Sequence, residues 1–345
     1  MENGIWNLLN ELNKKSGITE ILINGPRSVF IEKGGSFIQL NANLPANDIS
    51  DFIKEVSDLN QKVCDYDNPI LDGNLPDGSR INIINEPFVK GSPAISIRKY
   101  LKSVSSFENN PGVFGLSPDW VKFFKAVIAA KLNIVVSGGT GVGKTTLLNI
   151  LINEISKSER LITIEDTLEL SIDLPNVVRL ESGTKSKLSK SNLSTRDLVK
   201  NTLRMRPDRL IIGETRGAEL FDLLQAMNTG HEGSMTSIHS NSGGECLSRM
   251  ETLFLLAGFD LPLLVVRKQI STSVNFIVQL SKESNGERVI SEITEICGME
   301  GQTILSQTIA SREDGLLRFK GIAPKEFEKL HTKGGLEYNF FEDLE

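Results

Sequence analysis

Cysteine is scarce in this 345-residue chain: Cys64, Cys246 and Cys297 are odd in number and far apart. That spacing excludes a disulfide framework and a zinc site and points to reduced, structural thiols. No run approaches the ~20 consecutive apolar residues that a membrane-spanning helix needs. Met1 to Trp6 carries no basic segment followed by an apolar core, so no secretory signal is expected and the chain should stay in the cytoplasm. Positive charge is also in short supply. The net charge is −6, which disfavours a dedicated nucleic-acid binder, since those show a basic footprint. The one basic cluster, Lys185, Lys187, Lys190 and Arg196, has no aromatic residues among it and reads as a solvated loop.

What is present is a chain long enough for two cores. Residues 1 to 15 place Ile5, Leu8, Leu9 and Leu12 at helical spacing, and short strands are expected at Glu20–Ile23, Val29–Glu32 and Phe37–Leu40. Asp48 can cap a helix with Ile49, Phe52, Ile53 and Val56 on one face, and strand signals follow at Ser79–Ile84 and Ala94–Ile97. Residues 1–101 therefore read as a small α+β domain. Residues 102–117 are rich in Ser, Asn, Gly and Pro and read as a linker. From 118 to 345 helices and strands alternate, the pattern of a parallel sheet covered by helices. A first helix turns Trp120, Phe123, Phe124, Val127 and Ile128 inward. Further strands are expected at Leu161–Ile164, Leu210–Ile212 and Met235–Ile238. Ser194 with Asp197 caps a helix that must end before Pro207, and Gly230 stops another begun near Ala218.

The most informative stretch is Gly138-Gly139-Thr140-Gly141-Val142-Gly143-Lys144-Thr145-Thr146, which satisfies the spacing of a phosphate-binding loop. It has the required context. Leu132–Ser137 is a short apolar, β-branched run, and Thr146–Ile155 repeats Leu and Ile at helical spacing. Glycines let successive N–H groups curl toward phosphate oxygens while the helix N-terminus adds its positive end. Lys144 can reach the β- and γ-phosphates, and the Thr145 hydroxyl is placed to ligate Mg²⁺. ATP is preferred over GTP because there is no Asn/Thr-Lys-x-Asp guanine-reading motif.

Two strand ends supply carboxylates at the edge where such sheets bind nucleotide. Glu165 and Asp166, followed by Glu169, end the Leu161–Ile164 run. Glu214 ends Leu210-Ile211-Ile212-Gly213, a segment with the character of a Walker B strand. His239 closes the Met235–Ile238 run, where an imidazole can donate to a γ-phosphate. His231 lies eight positions earlier.

Together these segments resemble the secretion ATPases of type II and type IV systems, whose Walker A, acidic, Walker B and histidine boxes occur in this order. The nearest likeness is to the CpaF-type (TadA-type) motors of tight-adherence Flp pili. It is carried by Asn24-Gly25-Pro26, Leu75-Pro76-Asp77-Gly78-Ser79-Arg80, Ser96-Ile97-Arg98-Lys99, Thr163-Ile164-Glu165-Asp166 and Leu203-Arg204-Met205-Arg206-Pro207-Asp208-Arg209. It continues through Gly213-Glu214-Thr215-Arg216-Gly217, Gly230-His231-Glu232-Gly233-Ser234, His239-Ser240-Asn241 and Ile296-Cys297-Gly298-Met299-Glu300-Gly301.

The resemblance implies a RecA-like P-loop core behind a PAS-like N-terminal domain, and a cytoplasmic homo-hexamer that hydrolyses Mg-ATP. Such a ring works at the inner face of the membrane on a platform protein of a pilus or secretion system. It also implies that Arg80 and Arg98 reach the phosphates, that Glu165 activates water and that Glu214 is the Walker B acid; which of the two acids is the base stays open. A type IV secretion or DNA-translocation motor and a RecA-type nucleic-acid motor are the alternatives. The chain departs from the family pattern in two places: it begins almost directly at the PAS-like domain, and Ser182-Gly183-Thr184 stands where Thr-Arg-Pro is common. That leaves Lys185 or Lys187 as candidate replacements for the missing arginine.

Overall fold

A computed structural model describes residues 4–99, 106–182, 193–258, 261–342 and 344. Lys185, Lys187 and Lys190, and with them most of the basic cluster, lie outside these residues. The chain divides into two compact units: Met1–Ser103 with Thr167–Glu169 and Ser182–Leu193, and Val104–Asp166 with Leu170–Glu181 and Ser194–Glu345.

The first unit begins with α1 (Gly4–Asn13), β1 (Ile18–Ile23), β2 (Val29–Lys33) and β3 (Ser36–Leu40). It continues with α2 (Ala46–Leu59), β4 (Ile70–Asn74), β5 (Arg80–Ile84) and β6 (Ala94–Arg98). The six strands pair antiparallel in the order β3-β2-β1-β6-β5-β4. Alternation sets the core: Ile21 and Ile23 of β1, Ile81 and Ile83 of β5 and Ile95 and Ile97 of β6 are buried with Ile5, Leu9 and Leu12 of α1 and Ile49, Phe52, Ile53 and Val56 of α2. Asp48 does not cap α2. The helix starts two residues earlier, behind Pro45, and Asp48 in its first turn accepts a hydrogen bond from the Gly4 N–H at 3.2 Å.

The second unit carries α3 (Pro118–Ala129), β7 (Ile134–Gly138), α4 (Lys144–Asn153), β8 (Leu161–Glu165) and β9 (Val177–Glu181). Next come α5 (Thr195–Thr202), β10 (Arg209–Ile212), α6 (Glu219–Asn228), β11 (Met235–Ile238), α7 (Gly243–Leu256) and α8 (Leu263–Ser273). The chain ends with β12 (Phe276–Lys282), β13 (Arg288–Glu300), β14 (Thr303–Glu313), β15 (Leu316–Phe319) and α9 (Phe327–Thr332). Its nine strands run β15-β14-β13-β12-β7-β11-β10-β8-β9. From β12 to β9 every pairing is parallel, and β13 to β15 extend the sheet antiparallel.

Every residue of β7, β8, β10 and β11 is buried, as strands covered on both faces require. The pleat divides them between two cores. Ile134, Val136, Leu161, Ile211 and Met235 pack with α3 and α4 on one face; Val135, Ile162, Ile164, Leu210, Ile212 and Ile238 pack with α5 to α8 on the other. The expected α/β class with a parallel-rich sheet is therefore what the chain adopts, as is the expected inward face of α3, whose Ser117 cap accepts from the Trp120 N–H. Ser194 and Asp197 form a reciprocal capping box on α5. Phe107, Phe114 and Leu116, in the stretch of linker composition, are buried in the second unit.

Candidate nucleotide site

Because β7, β8, β10 and β11 are parallel, their carboxyl ends share one edge. That edge receives the glycine loop after β7, Glu165 at the end of β8, Glu214 two residues past β10 and His239 directly after β11. The sheet thus gathers residues spread over a hundred positions, at the edge where α/β sheets bind ligands.

The loop itself is shaped by close packing. A side chain at Gly138 would meet Val142 Cγ2 at 2.6 Å and the Leu280 carbonyl at 2.9 Å. Gly143 caps α4 with φ 100°, and a Cβ there would lie 2.9 Å from the Phe114 ring. Both positions need glycine, the second for its left-handed backbone as well. Thr145 and Thr146 occupy the first turn of α4, and Gly139, Thr140 and Gly141 form the loop's more open part. Val142 is buried under it.

Lys144, 8% exposed, folds back over the loop: its Nζ donates to the carbonyls of Gly138 at 2.9 Å and Gly139 at 2.8 Å. The same Nζ lies 3.3 Å from His239 Nε2 and 3.4 Å from Nδ1. His239 Nε2 lies 3.2 Å from Glu214 Oε1, and the other Glu214 oxygen accepts from Arg216 Nη2 at 2.8 Å. Lys144, His239, Glu214 and Arg216 form one connected cluster.

Burial lowers the Lys144 ammonium below its ordinary range, with Glu214 opposing and Arg216 assisting. Burial also lowers the His239 imidazole, Lys144, Arg216 and Arg249 push it further, and only Glu214 opposes. The ring is accordingly neutral near pH 7. Burial would raise the Glu214 carboxyl, but the Arg216 hydrogen bond and charge, with His239 and Lys144, hold it below the ordinary carboxylate value. The cluster thus presents an ionised carboxylate and an ammonium bridged by a neutral ring.

Glu165 is 4% exposed, and both its oxygens are engaged: Oε2 by the Leu170 N–H at 2.8 Å, Oε1 by Arg179 Nη2 at 3.3 Å. Asp166 faces Arg216 at 3.6 Å. In the first unit Arg80 and Arg98 stand directly opposite each other on β5 and β6, so their side chains share a face. Arg80 is ion-paired with Glu169, and Arg98 Nε lies 3.9 Å from Glu20. His231 bonds the Ala226 carbonyl at the end of α6, a structural role. Arg196 of the basic cluster pairs with Asp222 at 2.7 Å.

Three arginines that the sequence reading gave no role emerge here. Arg216 holds Glu214, Arg179 holds Glu165, and Arg249 of α7 lines a 250 Å³ recess with Glu214, Thr215, Arg216 and His239. Arg216 was the accessible one, two residues from the acid it pairs with; Arg179 needs the β8–β9 pairing to be known.

A glycine cradle on a parallel strand, a buried lysine and a strand-end acid define a P-loop nucleoside triphosphatase. The family described as Type II/IV secretion system protein matches residues 7–313. The conjugal transfer protein TrbB of Rhizobium radiobacter is 33% identical over 82% of this chain and 84% of its own. The type IV secretion system protein VirB11 of Bartonella henselae is 30% identical over 81% and 88%. The solved structure of the Legionella pneumophila ATPase DotB shares the fold, with a TM-score of 0.62 at 19% identity over 86% of this chain and 81% of that one. The chain belongs to the type II/IV secretion system protein family and is an ATPase.

Proposed function

We propose that the chain is a cytoplasmic, homo-hexameric motor that hydrolyses Mg-ATP to drive pilus assembly or secretion, working on a platform protein at the inner face of the membrane. The observation that carries the hydrolytic part is the contact chain from Lys144 through His239 to Glu214. Lys144 binds the β- and γ-phosphates, the loop N–H groups of 138–146 cradle them, and His239 donates to the γ-phosphate. Contacts to phosphate are the role the resemblance assigns to Arg80 and Arg98. Among the described residues no helix is long and apolar enough to cross a membrane, which fits a peripheral motor.

Mg²⁺ suits the oxygen donors present. Thr145 offers a hydroxyl in the first turn of α4, and Glu214 remains ionised. Among the described residues no group of three or more carboxylate, His or Cys side chains is placed to hold a metal ion by itself, so the ion would share its shell with phosphate oxygens, as Mg²⁺ commonly does. Its chemistry there is to neutralise phosphate charge. A carboxylate held below its ordinary pKa is a poor base and a good partner for a cation. Glu214 therefore takes the metal-shell role and Glu165 the base role, Glu165 releasing a present partner to do so.

The two roles separate experimentally. Glu165→Gln and Glu214→Gln are each expected to reduce turnover by about 10²-fold or more, while only Glu214→Gln raises the Mg²⁺ concentration needed for half-maximal rate. Titrating Mg²⁺ against both variants checks this. An unchanged requirement in Glu214→Gln, or a raised one in Glu165→Gln, reverses the assignment.

The tight-adherence pilus is favoured by the many matched segments, from Asn24-Gly25-Pro26 to Ile296-Cys297-Gly298-Met299-Glu300-Gly301. A second reading, a type IV secretion or DNA-transfer motor, is favoured by what the 33% and 30% identical relatives are named for. Deleting the gene decides between them. Loss of surface pili supports the first, and intact pili with lost conjugative transfer supports the second. A RecA-type nucleic-acid motor is disfavoured by the net charge of −6.

A further inference from the structure

The recess beside the Lys144–His239–Glu214 cluster has a charge that the proposed hydrolysis does not use. Of its lining residues, Glu214 accepts from Arg216 at 2.8 Å and lies 3.2 Å from His239 Nε2. Arg216 is occupied on both sides, by Glu214 at 2.8 Å and Asp166 at 3.6 Å. Arg249 differs. It sits on α7, the helix that follows the His239 turn, and makes no hydrogen bond or ion pair among the described residues.

Its natural helical partner is Glu245, four residues earlier on the same face. That carboxylate is turned back to the helix start instead, where it accepts from the Asn241 N–H at 3.1 Å. The capping geometry of α7, with Ser242 accepting from the Glu245 N–H at 3.1 Å, keeps it there. Arg249 therefore faces both the 250 Å³ recess and an adjoining 510 Å³ space bounded by Gly139, His239 and Asn241. An uncommitted guanidinium fork at the mouth of a recess is a receptor for a tetrahedral oxyanion, because it donates two parallel N–H groups to two oxygens. The smaller space suits one small anion; Gly139 places the larger next to the phosphate loop.

We propose that Arg249 and the recess it lines are a binding site for inorganic phosphate, taking the γ-phosphate after cleavage and holding it on its way out. The inference rests on the proposed ATP hydrolysis and adds where its product goes. Arg249 supplies the positive edge, and the buried Thr215 lines the recess with it. Arg216, 2.8 Å from Glu214, offsets part of that carboxylate's charge toward the anion.

The test uses the full chain saturated with Mg-ADP, so that the loop is filled by the β-phosphate and added inorganic phosphate must bind elsewhere. ³¹P NMR reports the phosphate and the ADP separately. Wild type is expected to broaden the phosphate signal saturably. Arg249→Gln should weaken phosphate binding by about tenfold or more, with Arg249→Lys intermediate and ADP affinity unchanged in both. In steady-state assays the Arg249→Gln variant should show the same rise in the phosphate inhibition constant and no change in that of ADP. Equal phosphate affinity in wild type and Arg249→Gln overturns the inference and leaves the ATPase reading intact. Parallel loss of ADP affinity overturns it too, by placing Arg249 in the nucleotide pocket. Absence of ADP binding to wild type overturns both.

Discussion

Replacing Lys144 with alanine is expected to reduce ATP hydrolysis by about 10²–10³-fold, the usual loss when a preorganised donor to developing charge is removed. The ammonium is nearly buried and held by two loop carbonyls, so its position over the loop is fixed before nucleotide arrives. Low local dielectric makes such a charge worth more to a phosphate than it would be in water. Alanine removes it without touching the glycines that shape the loop, so the fold should persist. Burial places the ammonium below its ordinary range, and an ionised Lys144 is what the phosphates need. The rate should therefore fall at high pH earlier than an exposed lysine would dictate. Far-ultraviolet circular dichroism alongside the hydrolysis assay separates lost chemistry from lost structure. A folded Lys144→Ala variant with undiminished turnover would remove the lysine from the site.

A second large effect is expected at the opposite end of the sheet. Arg209, the first residue of β10, is 1% exposed and forks onto Glu159 at 2.8 and 2.9 Å, with a third bond to the Ile128 carbonyl. Lys131 reaches the same carboxylate at 3.0 Å. One guanidinium nitrogen, Nη1, has no partner, so the pair is already short of full compensation. Glu159→Ala leaves that buried cation unbalanced, at a cost of about 3–5 kcal/mol. With Trp6 replaced by phenylalanine, Trp120 becomes the only tryptophan and reports urea unfolding of the second unit. A loss under about 1 kcal/mol would instead match an exposed pair.

The pH dependence follows from the same contacts. Burial would raise the Glu159 carboxyl, but Arg209 and Lys131 hold it below its ordinary 4.5. The folded state thus binds the proton less readily than the unfolded chain. The stabilisation is complete above pH 4.5 and is lost as pH falls through the lower folded value. The gap between wild type and Glu159→Ala should stay constant from neutral pH to about pH 5 and close only in more acidic buffer.

The parts of the site legible in sequence are those whose chemistry is local. Gly138 to Thr146 declares itself through loop spacing between a strand and a helix, and Glu165, Glu214 and His239 through their place at the ends of apolar runs. Arg179 matters through a carboxylate on the neighbouring strand and Arg249 through its place beside a recess, which spacing along the chain does not encode. The same holds for the fold. β4 contains Asp72 and Gly73, poor strand formers, and exists because it pairs with β5. α7 opens on Gly243 and Gly244, against helix propensity, and is specified by its Ser242 cap and by Cys246, Met250, Leu253 and Phe254 in the core. Phe107, Phe114 and Leu116 are buried although the residues around them have linker composition. The antiparallel extension of β13 to β15 lies beyond the helix–strand alternation and is specified by pairing onto β12.

Together, the second unit's loop, lysine and acid are proposed as a hydrolytic site for Mg-ATP. Phosphate release from ATP by the purified chain, with Mg²⁺ and then with the ion chelated, tests it most directly. Steady turnover that disappears on chelation and returns when Mg²⁺ is restored is the expected result. A folded chain that releases no phosphate with Mg²⁺ present, or releases it at the same rate without the ion, would contradict it.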